Sequence, residues 1–366
     1  MIEGVAVLIR SIEARLVVVP MRRPLGTSAA RVAAAPLLLV DLHTDQDVTG
    51  RAYLFCYRES VGRAALAVLR DAHDALVGTP VSPAAARRTL HARFKLAGAH
   101  GAVAMVLAGV DTACWDALAI HAGLPLARML GAIPRPIPAY NSNGLGLIAP
   151  EAAAEEAREL VAEGFRAIKM RLGRPGPDDD LAAARAVRAA IGPDIALMAD
   201  YNQALDLHSA RQRCRALDDE ELAWIEEPVR HDDFRANAHL TAELRTPIQI
   251  GENFAGPRAM AESLRHEASD LVMPDLDRIG GVTGWQEAAA LADVAGIPLS
   301  SHLYPEVSVH LLTASPTAHW LEYVDWANPV LTDPLSIVDG YATAPDRPGN
   351  GLVWDPEAVS AYRVDR

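Results

Sequence analysis

Ile195-Ala-Leu-Met-Ala-Asp200, Ala223-Trp-Ile-Glu226 and Ile248-Gln-Ile-Gly-Glu252 are short apolar runs, each closed by a carboxylate, and the three acids stand 26 residues apart. An interval of that size holds one strand, one helix and the turns between them, the period of a repeating β/α unit. Parallel neighbouring strands would project all three carboxylates from the same end of one sheet. Three hard oxygen donors converging there suit Mg2+ or Mn2+. The spacing therefore predicts a divalent metal at the mouth of a β/α barrel.

Around these runs, strand-like segments alternate with helical ones: 137–140, 165–172, 195–200, 222–226, 248–251, 271–274, 297–301 and 318–322. Eight strands in regular alternation is the count of a (β/α)8 TIM-type barrel, an α/β fold. Upstream, residues 5–20 and 36–53 are rich in Val, Leu and Ile and read as paired strands, and the pattern from 60 to about 130 is helical. Within the helix predicted over 102–120, Asp111 and Asp116 interrupt the apolar pattern and read as structural carboxylates, capped or paired. Residues 21–35 contain Arg22, Arg23, Pro24, Gly26, Thr27 and Ser28 and read as a loop, either a plain surface connection or a lid. The expected division is a cap over 1–134, a barrel over 135–330 and a Pro- and Gly-rich segment, 331–366, wrapping back across the cap.

The chain of 366 residues is half hydrophobic, ample for a large core, and its net charge of −13 argues against a nucleic-acid backbone or an anionic membrane as partner. Cys56, Cys114 and Cys214 are few, odd in number and far apart, which supports neither a disulfide framework nor a zinc knuckle. Glu3, Arg10, Glu13 and Arg15 break up any signal-peptide core, and no run reads as long enough to cross a bilayer. A cytoplasmic address is the expectation.

Chemistry in a β/α barrel sits at the carboxyl ends of the strands. There the second strand offers Lys169 and Arg171, which share a face because they are two apart. The third to fifth supply the acids, with Asn202 just beyond Asp200; the sixth ends in Asp275, the seventh in His302 and the eighth in Glu322. Each taken singly reads as easily as a cap, a core histidine or a salt-bridge partner. Together, in register at successive strand ends, they require repeated coincidence.

These residues lie in longer motifs: Gly164-Phe-Arg-Ala-Ile-Lys169, Asp200-Tyr-Asn-Gln203, Trp224-Ile-Glu-Glu-Pro228, Gly251-Glu-Asn253, Met273-Pro-Asp275, Ile279-Gly-Gly-Val-Thr-Gly-Trp285, Ser300-Ser-His-Leu303 and Pro316-Thr-Ala-His-Trp-Leu-Glu322. In them the chain resembles the enolase superfamily, and within it the mandelate racemase subgroup, over nearly its whole length. The resemblance implies an α+β capping domain over a modified (β/α)7β barrel. It implies Mg2+ on Asp200, Glu226 and Glu252 rather than on Glu227, and His302 as general acid/base tuned by Asp275. It implies Lys169 and Glu322 on the substrate carboxylate, assisted by Asn202 and Ser142, with a protonated Glu322 donating to the developing enediolate. A small carboxylate substrate and a symmetric homo-oligomer, an octamer among the options, also follow from it.

One position departs. The family's Lys-x-Lys becomes Lys169-Met-Arg171, and a guanidinium, with a pKa above roughly 12, is a poor proton acceptor. Racemisation needs an acid/base on each face of the α-carbon, so Arg171 favours a one-base reaction, above all acid-sugar dehydration. The pocket argues the other way. Leu25, Ala29, Val32, Tyr57, Leu303 and Val324 match an apolar substrate pocket, with Arg22 and Arg23 as candidates for a second anionic group. The expectation is a racemase of a hydrophobic 2-hydroxy acid, with dehydration as the alternative. A third reading, a carboxylate-binding homologue without catalysis, sits poorly with a complete triad and a tuned histidine.

Overall fold

Alternating apolar residues build the cap as a sheet buried on both faces. In the computed structural model, which describes residues 7–365, β1 (Ile9–Gly26), β2 (Arg31–Thr44) and β3 (Thr49–Phe55) form an antiparallel sheet in that order. Val5 and Ala6 of the first predicted strand lie outside the described residues. Leu16, Leu38, Val40 and Leu54 face helices α1 (Glu59–Leu76), α2 (Pro83–Arg93) and α3 (Ala102–His121), while Val17, Val19, Leu37 and Leu39 join the core shared with the barrel. A one-residue slip would exchange the two faces, so the pattern also sets the register.

Gly50 on β3 lies against α3 so closely that a Cβ there would overlap the Ala113 carbonyl and stand 2.7 Å from the Ala117 nitrogen. Gly50→Ala is expected to destabilise the protein by roughly 1–3 kcal/mol or more, since backbone rather than a side chain must yield; a denaturant midpoint equal to wild type would refute this. Asp111 receives the Thr283 N–H at 2.9 Å and hydroxyl at 2.6 Å, and Asp116 the N–H groups of Arg51 and Asn350 at 2.7 and 2.6 Å. Both are structural acids. One expectation needs correcting: α3 is by length and composition apolar enough to cross a membrane. Its apolar residues are explained by burial, since 67% of that stretch is inside the protein.

A second correction concerns residues 21–35. They are not a loop but the tip of the β1–β2 hairpin, with a turn closed by the Thr27 N–H on the Ala30 carbonyl at 2.9 Å. Proline is a turn-like residue, but the strand absorbs Pro20 and Pro24 in an irregularity between Pro20 and Leu25, after which Leu25 pairs with Val32.

After α4 (Leu126–Met129) the barrel begins with β4 (Ile137–Asn141), α5 (Pro150–Ala162), β5 (Ala167–Arg171), α6 (Pro177–Ile191), β6 (Ala196–Asp200) and α7 (Leu207–Leu217). It continues with β7 (Ile225–Glu226), α8 (Phe234–Glu243), β8 (Ile248–Ile250), α9 (Pro257–Arg265), β9 (Leu271–Val272), α10 (Leu276–Ile279), α11 (Gly281–Ala295), α12 (Pro305–Ala314) and β10 (Leu321–Tyr323). Strands β4 to β9 pair in parallel, and β10 pairs in parallel with β4 to close the ring, a (β/α)7β arrangement under an α+β cap. The seventh predicted strand, 297–301, is reduced to bridges from Leu299 to Val272 and Ala318. Pro298 has no N–H to give a longer ladder.

The chain end extends the barrel sheet with β11 (Ile337–Val338) and β12 (Tyr341–Ala342), which pairs with β4. It then returns to the cap: Trp354 Nε1 donates to Asp41 at 2.8 Å and Val364 N–H to the Leu16 carbonyl at 3.0 Å. All three cysteines are buried and free.

Candidate active site

Every second strand residue points into a barrel, so the interior stacks in layers. The lower layer is an apolar plug of Tyr140, Ala167, Met198, Trp224 and Leu271, with Tyr140 and Trp224 edge to face at 5.3 Å. Two residues further along the same strands stand Ser142, Lys169, Asp200 and Glu226. Period two thus converts an apolar floor into a buried charged layer: Lys169 is 1% exposed and Glu226 fully buried.

Asp200, Glu226 and Glu252 each bring an oxygen within 4.8 Å of the others. Lys169 Nζ donates to both oxygens of Glu226 at 2.9 and 3.0 Å, lies 3.5 Å from Asp200 and meets Glu322 at 2.8 Å. Burial works against the Lys169 charge, but Glu226 and Glu322 outweigh it and hold the amine protonated well above its ordinary range. Glu226 is nonetheless pushed up to about 8, by burial first and then by Asp200, and Asp200 is raised by burial and Glu252. One lysine does not compensate this concentration of acid. A small dication would, and the all-oxygen donor set fits Mg2+ or Mn2+.

The triad is held from behind. Asn202 donates its backbone N–H to Asp200 at 2.7 Å and its Nδ2 at 3.0 Å; Trp224 Nε1 donates to Glu226 at 3.3 Å. Asn253 Nδ2 bridges Glu252, at 3.0 Å, and Glu227, at 2.9 and 3.0 Å. Glu227, outside the triad as expected from the resemblance, is therefore one acceptor of the Asn253 amide. Arg278 ties the cap to this group. It donates to the Glu252 carbonyl at 2.9 Å, to Asn253 Oδ1 at 2.8 Å and to the Tyr57 hydroxyl at 3.0 Å.

His302 lies across the mouth. Its Nδ1 is 2.7 Å from Asp275, whose other oxygen accepts the N–H groups of Asp277 and Arg278 at 2.9 and 3.0 Å as the cap of α10. Nε2 lies 3.2 Å from Glu252 and 3.9 Å from Glu322. Burial opposes the imidazolium, but Glu252, Glu322 and Asp275 together raise it well above the usual histidine range. Glu322 differs from the expected protonated donor. Despite burial, Lys169 and His302 hold its carboxyl down at about 2, and it accepts from Lys169 and from the Leu303 N–H at 2.8 Å.

These groups open onto a cavity of about 190 Å3. Of the residues named from the sequence, Lys169, Arg171, Asp200, Asn202, Glu252, His302 and Glu322 line it, as do Leu25, Ala29, Val32, Tyr57 and Leu303. Glu226 lies below it, hydrogen-bonded to Lys169, and Asp275 lies behind His302. Ser142 and Val324 do not reach it. Ser142 is buried against Arg171, whose NH2 donates to its hydroxyl at 2.9 Å and NH1 to its carbonyl at 2.7 Å, with Gly144 at 3.3 Å. Val324 packs in the core.

Arg22 and Arg23 turn outward: Arg22 pairs with Glu163 at 2.6 Å, and Arg23 with Glu163 at 2.9 Å and Glu159 at 3.0 Å. The second anionic contact expected of them is thus excluded by pairing with α5 and the residue after it. Thr27, Ala30, Gln203 and Trp326 line the cavity without having been assigned a role from the sequence. Gln203 follows Asn202 directly in the sequence; Trp326 lies beyond β10, outside any alternating pattern.

Residues 152–358 match the family described as enolase C-terminal domain-like, and residues 11–131 the N-terminal domain of mandelate racemase / muconate lactonizing enzyme. The chain belongs to the mandelate racemase/muconate lactonizing enzyme family. Among its solved relatives in the family, an enolase from alpha proteobacterium BAL199 with bound Mg is 45% identical, covers 98% of this chain and 100% of that one, and superposes with a TM-score of 0.96. A Bradyrhizobium enolase complexed with magnesium and mandelic acid is 42% identical over 100% of both chains, with a TM-score of 0.94. L-talarate/galactarate dehydratase of Salmonella typhimurium is 35% identical over 71% of this chain and 66% of its own. The family thus includes a mandelic acid complex and an acid-sugar dehydratase among this chain's similar members.

Proposed function

We propose that the chain is a Mg2+-dependent enzyme that removes the α-proton of a 2-hydroxycarboxylate bearing an apolar substituent and returns it as a racemase or epimerase does. The observation that carries this reading is the cavity: besides Lys169, His302 and the carboxylates, its wall includes Leu25, Ala29, Ala30, Val32, Leu303 and Trp326. A polyhydroxylated acid would forfeit a hydrogen bond for each hydroxyl set against that wall. The mandelic acid complex of the Bradyrhizobium neighbour supports the same substrate class.

Asp200, Glu226 and Glu252 would hold Mg2+, which when bound acts as a Lewis acid on the substrate carboxylate and offsets the anionic charge that keeps His302 protonated. Loss of the α-proton leaves an enediolate with two negative oxygens. Lys169, held protonated, supplies a fixed ammonium for that charge in a water-poor site. His302 Nε2 takes the proton, while Asp275 on Nδ1 fixes the tautomer and stabilises the imidazolium that results.

Dehydration is the second reading, and Arg171 favours it. With both terminal nitrogens donating to Ser142 and Gly144, Arg171 is poorly suited to accept a proton on the face opposite His302. A one-base reaction would move the α-proton to His302, expel the β-hydroxyl as water with that proton, and leave an enol that tautomerises to a 2-keto acid; the talarate/galactarate dehydratase relative supports it. Both readings are tested by incubating the Mg2+-loaded protein with each enantiomer of mandelate in D2O, beside a screen of sugar acids for 2-keto-acid formation. Deuterium entering both enantiomers with inversion is the expected result; a sugar acid turned over while mandelate stays inert would replace the racemase with a lyase. Arg171→Lys is expected to quicken exchange on the face opposite His302 by ~100-fold, the lower end of general-base contributions. No gain there would mean that the second face is not limited by its base.

A further inference from the structure

Gln203 borders the cavity with the nitrogen end of its side-chain amide unpartnered among the described residues. Its backbone is clamped: the Gln203 N–H donates to the Glu227 carbonyl at 2.8 Å, and those of Tyr201 and Leu205 donate to Glu226 and Pro228 at 3.0 and 3.1 Å. The loop after β6 therefore runs bonded along the one after β7. Asn202 and Gln203 stand at φ 45° and 64°, an unfavourable conformation for two successive non-glycine residues that the surroundings enforce.

The Gln203 side chain is oriented too. Its Oε1 accepts the His231 N–H at 3.1 Å. A backbone N–H only donates, so this bond settles which end of the amide is oxygen. The Nε2 end carries two hydrogens and finds no acceptor among the described residues, and it is what Gln203 has left to offer the cavity.

Most neighbouring donors are engaged. Lys169 is shared by Glu226 and Glu322, Asn202 Nδ2 goes to Asp200, and the Thr27 hydroxyl lies 3.3 Å from the Ala30 carbonyl. Arg171 keeps an unpartnered Nε, but it shares the strand face of Lys169, at the carboxylate end. Tyr57 accepts from Arg278 and retains its own proton, which makes it the competing donor. Arg22 and Arg23 are paired elsewhere, and the other cationic side chains lining the cavity, Lys169, Arg171 and His302, belong to the carboxylate end.

We propose that Gln203 sets substrate specificity: its Nε2 donates to a neutral oxygen, a hydroxyl or carbonyl, carried on the otherwise apolar substituent of the 2-hydroxy acid. This rests on the reading of the cavity as a 2-hydroxycarboxylate site. Dicarboxylic sugar acids fall outside the class, because their second charge would be desolvated without a partner.

Calorimetric titration of the Mg2+-loaded protein tests this without requiring turnover. The ligands are mandelate, its ortho, meta and para ring-hydroxylated forms, and galactarate; the proteins are wild type, Gln203→Met and Tyr57→Phe. One hydroxylated isomer is expected to bind wild type roughly tenfold tighter than mandelate, the worth of one net hydrogen bond. Gln203→Met should bring that ratio to near one, and Tyr57→Phe should preserve it. Taking the ratio within each protein cancels any general damage to the fold.

Equal binding of all mandelates to wild type, or a preference that survives Gln203→Met or disappears in Tyr57→Phe, would overturn the assignment. Galactarate binding tighter than every mandelate would overturn the neutral-acceptor class. Preference without exchange in D2O would uphold the role of Gln203 and overturn only the proposed reaction. No binding by any of the acids would remove both.

Discussion

His302→Asn is expected to stop α-proton exchange from the enantiomer whose proton faces His302, a loss of about 10^2–10^4-fold or more, the range that a positioned general base contributes. Asparagine is close in size, and its amide can still meet Asp275, so packing at the mouth is largely kept. What it lacks is a nitrogen that can take a proton. Asp275 is not free to substitute, because its second oxygen caps α10 through the Asp277 and Arg278 N–H groups. The measurement is 1H NMR of each enantiomer in D2O. Exchange of both at the wild-type rate would mean that the base has been misplaced, whatever the geometry of the pair.

The second large effect belongs to the metal cluster. Glu252→Gln is expected to weaken Mg2+ or Mn2+ binding by on the order of 100-fold, at least the loss seen when groups merely supporting a ligand are removed, and to abolish exchange from both enantiomers. Calorimetric titration with Mn2+ reads the affinity directly. Metal-free stability is expected to fall as well. Glu252 contributes to raising Asp200, Glu226 and Glu227, yet despite burial His302, Arg278 and Lys169 hold its own carboxyl well below the usual range, so its charge is net stabilising at neutral pH. The metal-free variant should melt below the temperature of the metal-free wild type. Unchanged affinity would place the metal elsewhere.

These two effects draw on the part of the site that was most legible from residues alone. The 26-residue interval brought Asp200, Glu226 and Glu252 together because a β/α unit has a characteristic length, and period two put Lys169 on the inner face. Legibility fell where long side chains choose partners. Lys169 and Arg171 look alike on the strand, yet one points into the acid cluster and the other donates to Ser142 and Gly144 on the neighbouring strand's end. Arg22 and Arg23 look available to an anion, yet α5 and Glu163 claim them. The hairpin tip reads as a loop because proline is a strong local signal, whereas pairing between Leu25 and Val32 is a tertiary one.

Local periodicity, then, determined the barrel, the cap and the ends of the strands where chemistry is possible, since strand alternation and unit length are properties of neighbouring residues. The tertiary structure alone decided which cations face the cavity, that Glu322 sits between Lys169 and the Leu303 N–H, and that Gln203 retains a free donor. Each of those depends on groups tens to more than a hundred residues away, on desolvation, and on competition for hydrogen bonds, none of which a linear pattern contains.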